Sequence, residues 1–492
     1  MKFLYSFVLM FLCQGLFTKL YAQGKKYSPE VESKIRAVEN NLGFWISIEG
    51  DPNHTLKDRM SYYHVKGVSI AVVKDYKIEW TRAYGWADSV EQRRVTTGTL
   101  FQAGSISKSL NGVGVLKLAQ DKKLNINTDI NDYLNTWKFP YDSLSKGKKI
   151  TLANLLSHTA GLSVHGFPGY ERGDTIPSLV QVLNGEKPAN TDAVRSAFES
   201  GLKHQYSGGG TTISQLVVQE VTKKSYDTFM WQNVLKPIGM KNSFYTQPPA
   251  SSKQQFLATG YYADGKEVKG KYHIYPEQAA AGLWTNPTDL AYYIIETQLS
   301  LLGKSNKVLS QEMTKLRLTP YLDKSAALGV FIYKRGEQTF FHHSGSDEGF
   351  VSQYYGTMEG GNGVVVMVNS DKGAITEEII NSVATVYGWK GFYNPLKRPK
   401  IITVPQNILE SYVGEYKLKV DDKFYIKISL VNGRLIYSEP SWDGFELVAG
   451  AENDFFAREN PVGITFIKDA AGKIIELEYH SGSRNDKFKK VK

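Results

Sequence analysis

Two blocks of β-rich sequence stand far apart in the chain and bracket everything between them. In the first, residues 67–73 (GVSIAVV) and 78–85 are apolar, β-branched runs joined by the polar turn 74–77, which reads as a hairpin. In the second, residues 328–333, 338–343, 351–358 and 363–368 return to period-two patterning, and a helical stretch at 376–386 follows. Between the blocks the periodicity is helical, as in 150–156, 213–222, 226–235 and 290–301, where Pro287 stands at a tolerated first-turn position. Strands, then helices, then strands and a helix imply an α/β (α+β) domain over about 24–395. It would hold an antiparallel sheet flanked by helices, with a helical subdomain inserted at about 120–290. Residues 27–63 read as helical and 276–284 as an irregular apolar loop.

The Pro- and Lys-containing stretch 394–405, centred on 396–403, reads as a linker. Beyond it the pattern is nearly all β. Residues 424–431 and 434–438 flank Asn432-Gly433, a strong hairpin signal, and 463–468 and 474–479 flank a second turn. Residues 404–492 are therefore expected to form a small all-β domain, sandwich- or barrel-like, with packing and carbohydrate binding both open as its role.

The first 23 residues carry Lys2, an apolar run from Phe3 to Phe17 and small-residue chemistry at Tyr21-Ala22-Gln23. This reads as a secretory signal peptide over 1–22, because the run is short for a bilayer span. Cys13 is the one cysteine and lies inside that leader, behind Leu12, a poor residue to precede a lipidated cysteine. The mature chain then has no disulfide, thiolate metal site or thiol nucleophile, and a secreted or periplasmic location is expected. No later segment is apolar and long enough to span a membrane. The formal charge of +10 becomes +8 once Lys2 and Lys19 leave with the leader. The basic residues are dispersed, which excludes nucleic acid as the expected partner and leaves a small-molecule or peptide substrate. Oligomeric state is not legible.

Chemistry concentrates at three places. In FQAGSISKSL, Ser105 is followed three residues later by Lys108 at the mouth of an apolar helical run through Val113, Val115, Leu116 and Leu118. Residues i and i+3 share a helix face, so the amine would rise beside the hydroxyl. A serine hydroxyl attacks poorly until a neighbour takes its proton, and a desolvated lysine can do so. Two further Ser-x-x-Lys matches, at Ser143 and Ser145, lie in a polar loop with no apolar helix after them. The second place is Tyr206-Ser207-Gly208 in HQYSGGG, where the phenol either serves as a general base near the serine or packs at a turn. The third is His343-Ser344-Gly345-Ser346, expected at the end of an edge strand. There the Ser346 N–H could join the Ser105 N–H as an oxyanion hole, or His343 could be a hydrogen-bonded sheet residue.

Together with GVSIAVVKDYKIEW, ITLANLLSHTAGL, LKPIGMKNSFY, AAAGLWTNPTDLA and HHSGSDEGF, these sites resemble the serine beta-lactamase and penicillin-binding-protein-like superfamily. The branch is that of class C beta-lactamases, DD-peptidases, D-aminopeptidases and related esterases, and the likeness runs from about residue 67 to 387. It implies that Ser105 is acylated, that Lys108 and Tyr206 share the proton traffic, and that His343-Ser344-Gly345 stands for the family's third-strand motif. It also implies that His158 in SHTAG is structural rather than a base. No metal-ligand cluster or His-Glu-x-x-His motif is found, so no metal and no cofactor are expected.

One departure bears on substrate choice. The second motif usually ends in asparagine, which contacts the substrate amide, and here the position is Gly208. Losing that partner weakens recognition of an acylamino group and disfavours beta-lactam or peptide turnover more than ester turnover. Asp347 and Glu348, after the third motif, either attract a substrate amine or form a solvated acidic loop. The expected protein is an exported serine hydrolase acting on an ester or amide through an acyl-enzyme. The alternative is a catalytically weak penicillin-binding-type binding or sensor protein.

Overall fold

Valines and isoleucines divide between two buried faces along the Gly67–Lys74 strand. Val68, Ile70 and Val72 enter one core, while Ala71 and Val73 enter another. The Gly363–Val368 strand repeats the division, with Val364, Val366 and Val368 on one side and Val365 and Met367 on the other. Burial of both faces explains why these strands read as continuous apolar runs. The chain is described here from a computed structural model covering residues 26–491, apart from 44, 51, 399, 420, 441, 459–461 and 482–483. The expected signal peptide, with Cys13, lies outside the described residues.

The central sheet has seven strands. Its order is Arg93–Arg94, Lys77–Asp88, Gly67–Lys74, Gly363–Val368, Phe350–Thr357, Gln338–Asp347 and Phe331–Arg335. Every neighbouring pair is antiparallel. Helices Pro29–Glu39 and Ala374–Val386 cover one face through Ile35, Val38, Ile379 and Val383. On the other face lie Ser107–Gln120, through Leu110 and Val113, and Pro287–Leu301, through Leu290 and Ile294. The Asn286 side chain caps the latter helix, accepting from Asp289 N at 2.9 Å, with Pro287 in the first turn. Ser107–Gln120 is buried nearly all round, so it shows almost no amphipathic bias and behaves as a central core helix.

Three expectations change. The 27–63 stretch is two helices, Pro29–Glu39 and Leu56–Tyr62, with a short strand Ile46–Ile48 between them. A capping box of Thr55 and Asp58 starts the second helix afresh. The 276–284 loop contains one helical turn, Gln278–Ala281, whose Ala280 and Ala281 amides donate to Glu277 O. Trp284–Thr285 then pairs with Phe101–Gln102. Finally, the strand carrying His343 is not a sheet edge along its whole length. Phe331–Arg335 covers it from Gln338 to His342, and the ladder with that neighbour stops at the Phe331–His342 pair.

The stretch read as a linker is tied down, because Leu396–Arg398 pairs in parallel with Ile46–Ile48. Ile46 and Ile48 in turn pack on Phe456, Ile401 and Val448. The C-terminal unit is a closed eight-strand barrel, which settles the sandwich-or-barrel alternative. Pairing of Gly414–Leu418 with Arg484–Lys490 closes it. Ile426, Ile428, Leu435, Phe466, Leu477 and Phe488 fill its interior. Asn432 and Gly433 both take positive φ (+50° and +75°), as a two-residue hairpin turn requires.

Candidate active site

The FQAGSISKSL segment does not enter its helix at once. Gly104–Ile106 forms a 3-10 turn, and the α-helix begins at Ser107. Ser105 therefore sits on the turn rather than in the helix proper. Lys108, 3 % exposed, reaches back along the same face, with Nζ 2.9 Å from Ser105 Oγ and 2.8 Å from Ala280 O. The second acceptor comes from a residue 172 positions later, on the Gln278–Ala281 turn.

The turn is locked against the end of the Gln338–Asp347 strand. Gly345 lies so close that a Cβ there would meet Ala103 O at 1.9 Å and Ser105 N at 2.8 Å. Gly104 holds φ +50° and also approaches Ser346 closely, its Cβ position 2.5 Å from Ser346 N. Ser352 Oγ donates to Ala103 O (2.9 Å), and Gly104 N donates to Asp347 Oδ2 (3.1 Å). The backbones carrying Ser105 and Ser346 are thus brought side by side, on the stretch of strand beyond the reach of Phe331–Arg335.

Tyr206 comes from the third region. It precedes the Gly208–Thr222 helix, which Ser207 caps by accepting from Gly210 N at 2.9 Å. Its ring lies on His158, centroids 4.1 Å apart, and presents a face to Lys108 Nζ 4.9 Å from the centroid. His158 accepts Ser207 N at Nδ1 (3.2 Å). Burial, and then the Lys108 ammonium, push its pKa well below the ordinary imidazole value. The imidazole is thus held neutral against the Tyr206 ring. His343 is likewise neutral, its pKa pushed down to about 3 by burial and then by Lys108. Its Nδ1 lies 2.5 Å from Ser344 O, and its Nε2 is buried without a partner.

Ser105, Lys108, Tyr206, His343, Ser344, Gly345 and Ser346 line one cavity of about 550 Å³. Gly208 does not. Its amide donates to His165 O (2.9 Å), and residues 165–167 pack where a side chain would project. Those residues also line the cavity, together with Phe331 and Val351. They were missed in the sequence because a Gly/Pro-rich loop offers no periodic cue. The solvated-loop expectation for Asp347 is overturned. Asp347 is 6 % exposed, burial raises its pKa, and it holds the serine turn through Gly104 N. Another unforeseen group is Glu277, at the start of the turn that supplies Ala280. Both its carboxyl oxygens are buried without a partner, and burial pushes its pKa up to about 8.

A family model described as Beta-lactamase matches residues 53–383, two thirds of the chain. The chain belongs to the beta-lactamase family. Among curated relatives it is similar to Protein flp of Staphylococcus aureus (strain N315), with 26% identity over 315 residues, 62% of this chain and 60% of that protein. It is also similar to the Teichoic acid D-alanine hydrolase of Staphylococcus aureus, with 25% identity over 269 residues, 54% of this chain and 61% of that protein. The chain thus spans about three fifths of the length of these relatives. Two solved structures share the beta-lactamase-family fold. The octameric penicillin-binding protein homologue from Pyrococcus abyssi has a TM-score of 0.62 at 18% identity, covering 88% of this chain and 98% of its own. The D-alanine carboxypeptidase AmpC from Burkholderia cenocepacia has a TM-score of 0.55 at 19% identity, covering 73% and 99%.

Proposed function

We propose that this beta-lactamase-family protein is an exported serine hydrolase that takes an acyl group onto Ser105 and passes it to water. The observation that carries the reading is the 2.9 Å contact between Lys108 Nζ and Ser105 Oγ inside a cavity that Tyr206 also lines. In acylation, Ser105 Oγ attacks the substrate carbonyl while Lys108 and Tyr206, as a coupled pair, remove its proton and return it to the leaving group. The amides of Ser105 and Ser346 face the developing oxyanion. In deacylation the same pair activates water. An ester is favoured over an amide, because Gly208 offers no side-chain amide to an acylamino group. The relative named as a teichoic acid D-alanine hydrolase supports the same preference. Export rests on the reading of residues 1–22 as a leader. Among the described residues no helix is long and apolar enough to cross a membrane.

Intact-mass measurement with short-chain esters, D-amino-acid peptides and beta-lactams tests the reading. An adduct on Ser105 that forms and decays, continuous release from a chromogenic ester, and loss of both in Ser105→Ala are expected. A single stoichiometric burst without turnover returns the sensor reading. Product release that persists in Ser105→Ala refutes the hydrolase mechanism.

A further inference from the structure

One residue of the 163–167 stretch departs from what its side chain favours. Val164 is β-branched yet sits at φ +59°, a conformation that costs such a residue about 1–3 kcal/mol. The start of the Gly208–Thr222 helix holds it there. Ser207 Oγ donates to Ser163 O (2.7 Å) and Val164 O (3.2 Å). Gly208 N donates to His165 O (2.9 Å) and Gly209 N to Val164 O (3.1 Å). Three successive carbonyls are pinned across the helix start, and the strap they form places His165 and Phe167 in the cavity wall. The His165 ring lies 4.9 Å from that of Tyr206 and is exposed to solvent.

A side chain at position 208 would crowd this space. A Cβ there would stand 3.0 Å from His165 O and 3.0 Å from Phe167 Cε2. A side chain at 208 and the strap in its present course therefore compete. We infer that residues 163–167 form a substrate-recognition subsite in place of a side chain at 208, with His165 as the polar group that meets the acyl part of the substrate and Phe167 as the apolar wall beside it. The subsite fits an acyl group with an apolar body and one hydrogen-bonding substituent. Phe167, Phe331 and Val351 supply the apolar lining, and the His165 imidazole brings hydrogen-bonding nitrogens to its rim.

The inference rests on the hydrolase reading above, and the test separates the two. Initial rates are measured with p-nitrophenyl butyrate and p-nitrophenyl 3-hydroxybutyrate, which differ by one hydroxyl. The wild type is expected to favour the hydroxylated ester. His165→Ala should raise KM for that ester about 3- to 10-fold more than it raises KM for the plain ester, the worth of one hydrogen bond. His165→Asn, which restores a polar group, should recover part of the loss. Gly208→Asn, which crowds the strap at His165 O and Phe167, should show the same selective loss. Because His165 is exposed, its variants should melt with the wild type. A wild type indifferent to the hydroxyl, or a His165→Ala variant that leaves KM unchanged or affects both esters alike, overturns the subsite. Absence of any Ser105 adduct with p-nitrophenyl butyrate, read by intact mass, overturns the hydrolase reading and the subsite with it.

Discussion

Gly345→Ala adds one methyl group where the third-motif strand meets the serine turn. The new Cβ would lie 1.9 Å from Ala103 O, 2.8 Å from Ser105 N and 3.0 Å from Ala103 C. All three are backbone atoms, so no side chain can swing aside. To bring the carbonyl contact even to 3.0 Å, strand and turn must part by about 1.1 Å. That movement pulls on the Ser352–Ala103 and Gly104–Asp347 hydrogen bonds and separates Ser346 N from Ser105 N. A misplacement of about 1 Å in a catalytic constellation costs about 100-fold in rate, and loss of one oxyanion donor costs about 100- to 1000-fold. A kcat/KM at least about 100-fold below wild type is therefore expected, equivalent to about 2.7 kcal/mol of transition-state stabilisation. Overpacking adds about 1–3 kcal/mol of destabilisation and a Tm lower by a few degrees. The assay is chromogenic-ester turnover per folded molecule, with folding followed by circular dichroism. Gly98→Ala is the control, since the nearest atom to its added Cβ is 3.8 Å away and it should match wild type. A folded Gly345→Ala enzyme within threefold of wild-type kcat/KM would refute the claim that this contact sets the oxyanion geometry.

Two further outcomes follow from buried carboxyls. Asp347→Ala leaves the Gly104 amide without its partner, a loss of about 1–3 kcal/mol, and should lower both Tm and the acylation rate. Asp347→Asn keeps an acceptor and should stay within threefold of wild type in acylation, so equal losses in the two variants would discount the positioning role. Glu277 holds its proton up to about pH 8 in the folded protein, against an ordinary value of 4.5. Between these values the folded state binds more protons than the unfolded chain, so this group's contribution to stability falls as pH rises. Glu277→Gln should therefore lose less Tm than wild type between pH 5 and pH 8, and parallel Tm–pH curves would count against a buried, protonated Glu277.

What the sequence made legible is what short-range physics fixes. The central strands showed as unbroken apolar runs because both faces of the sheet are buried, and Lys108 could be set beside Ser105 because a helical turn returns to the same face. The turn Gln278–Ala281 was illegible. One helical turn is too short to register a period, and its worth lies in a single carbonyl offered to Lys108. The extent of the exposed edge at Ser344–Ser346 was equally hidden, because it depends on where a neighbouring strand stops. Val164 could not be foreseen at all, since its local preference opposes the conformation that long-range hydrogen bonds impose.

Gly208 shows why a motif position must be read with what packs on it. In the sequence it is a subtraction, the loss of an amide that would hold an acylamino group. In the fold it is the condition for a different wall. The strap at 163–167 needs the volume that a side chain at 208 would fill, and the bonds from Ser207, Gly208 and Gly209 hold it there despite the strain at Val164. The strain argues that the arrangement is more than slack filling a gap, because a loop free to relax would leave a β-branched residue in the extended region. Recognition in this cavity then comes from an imidazole and a phenyl ring on a loop rather than from an amide at a helix start. On that account, changing position 208 alone should impair the site instead of restoring the more usual motif.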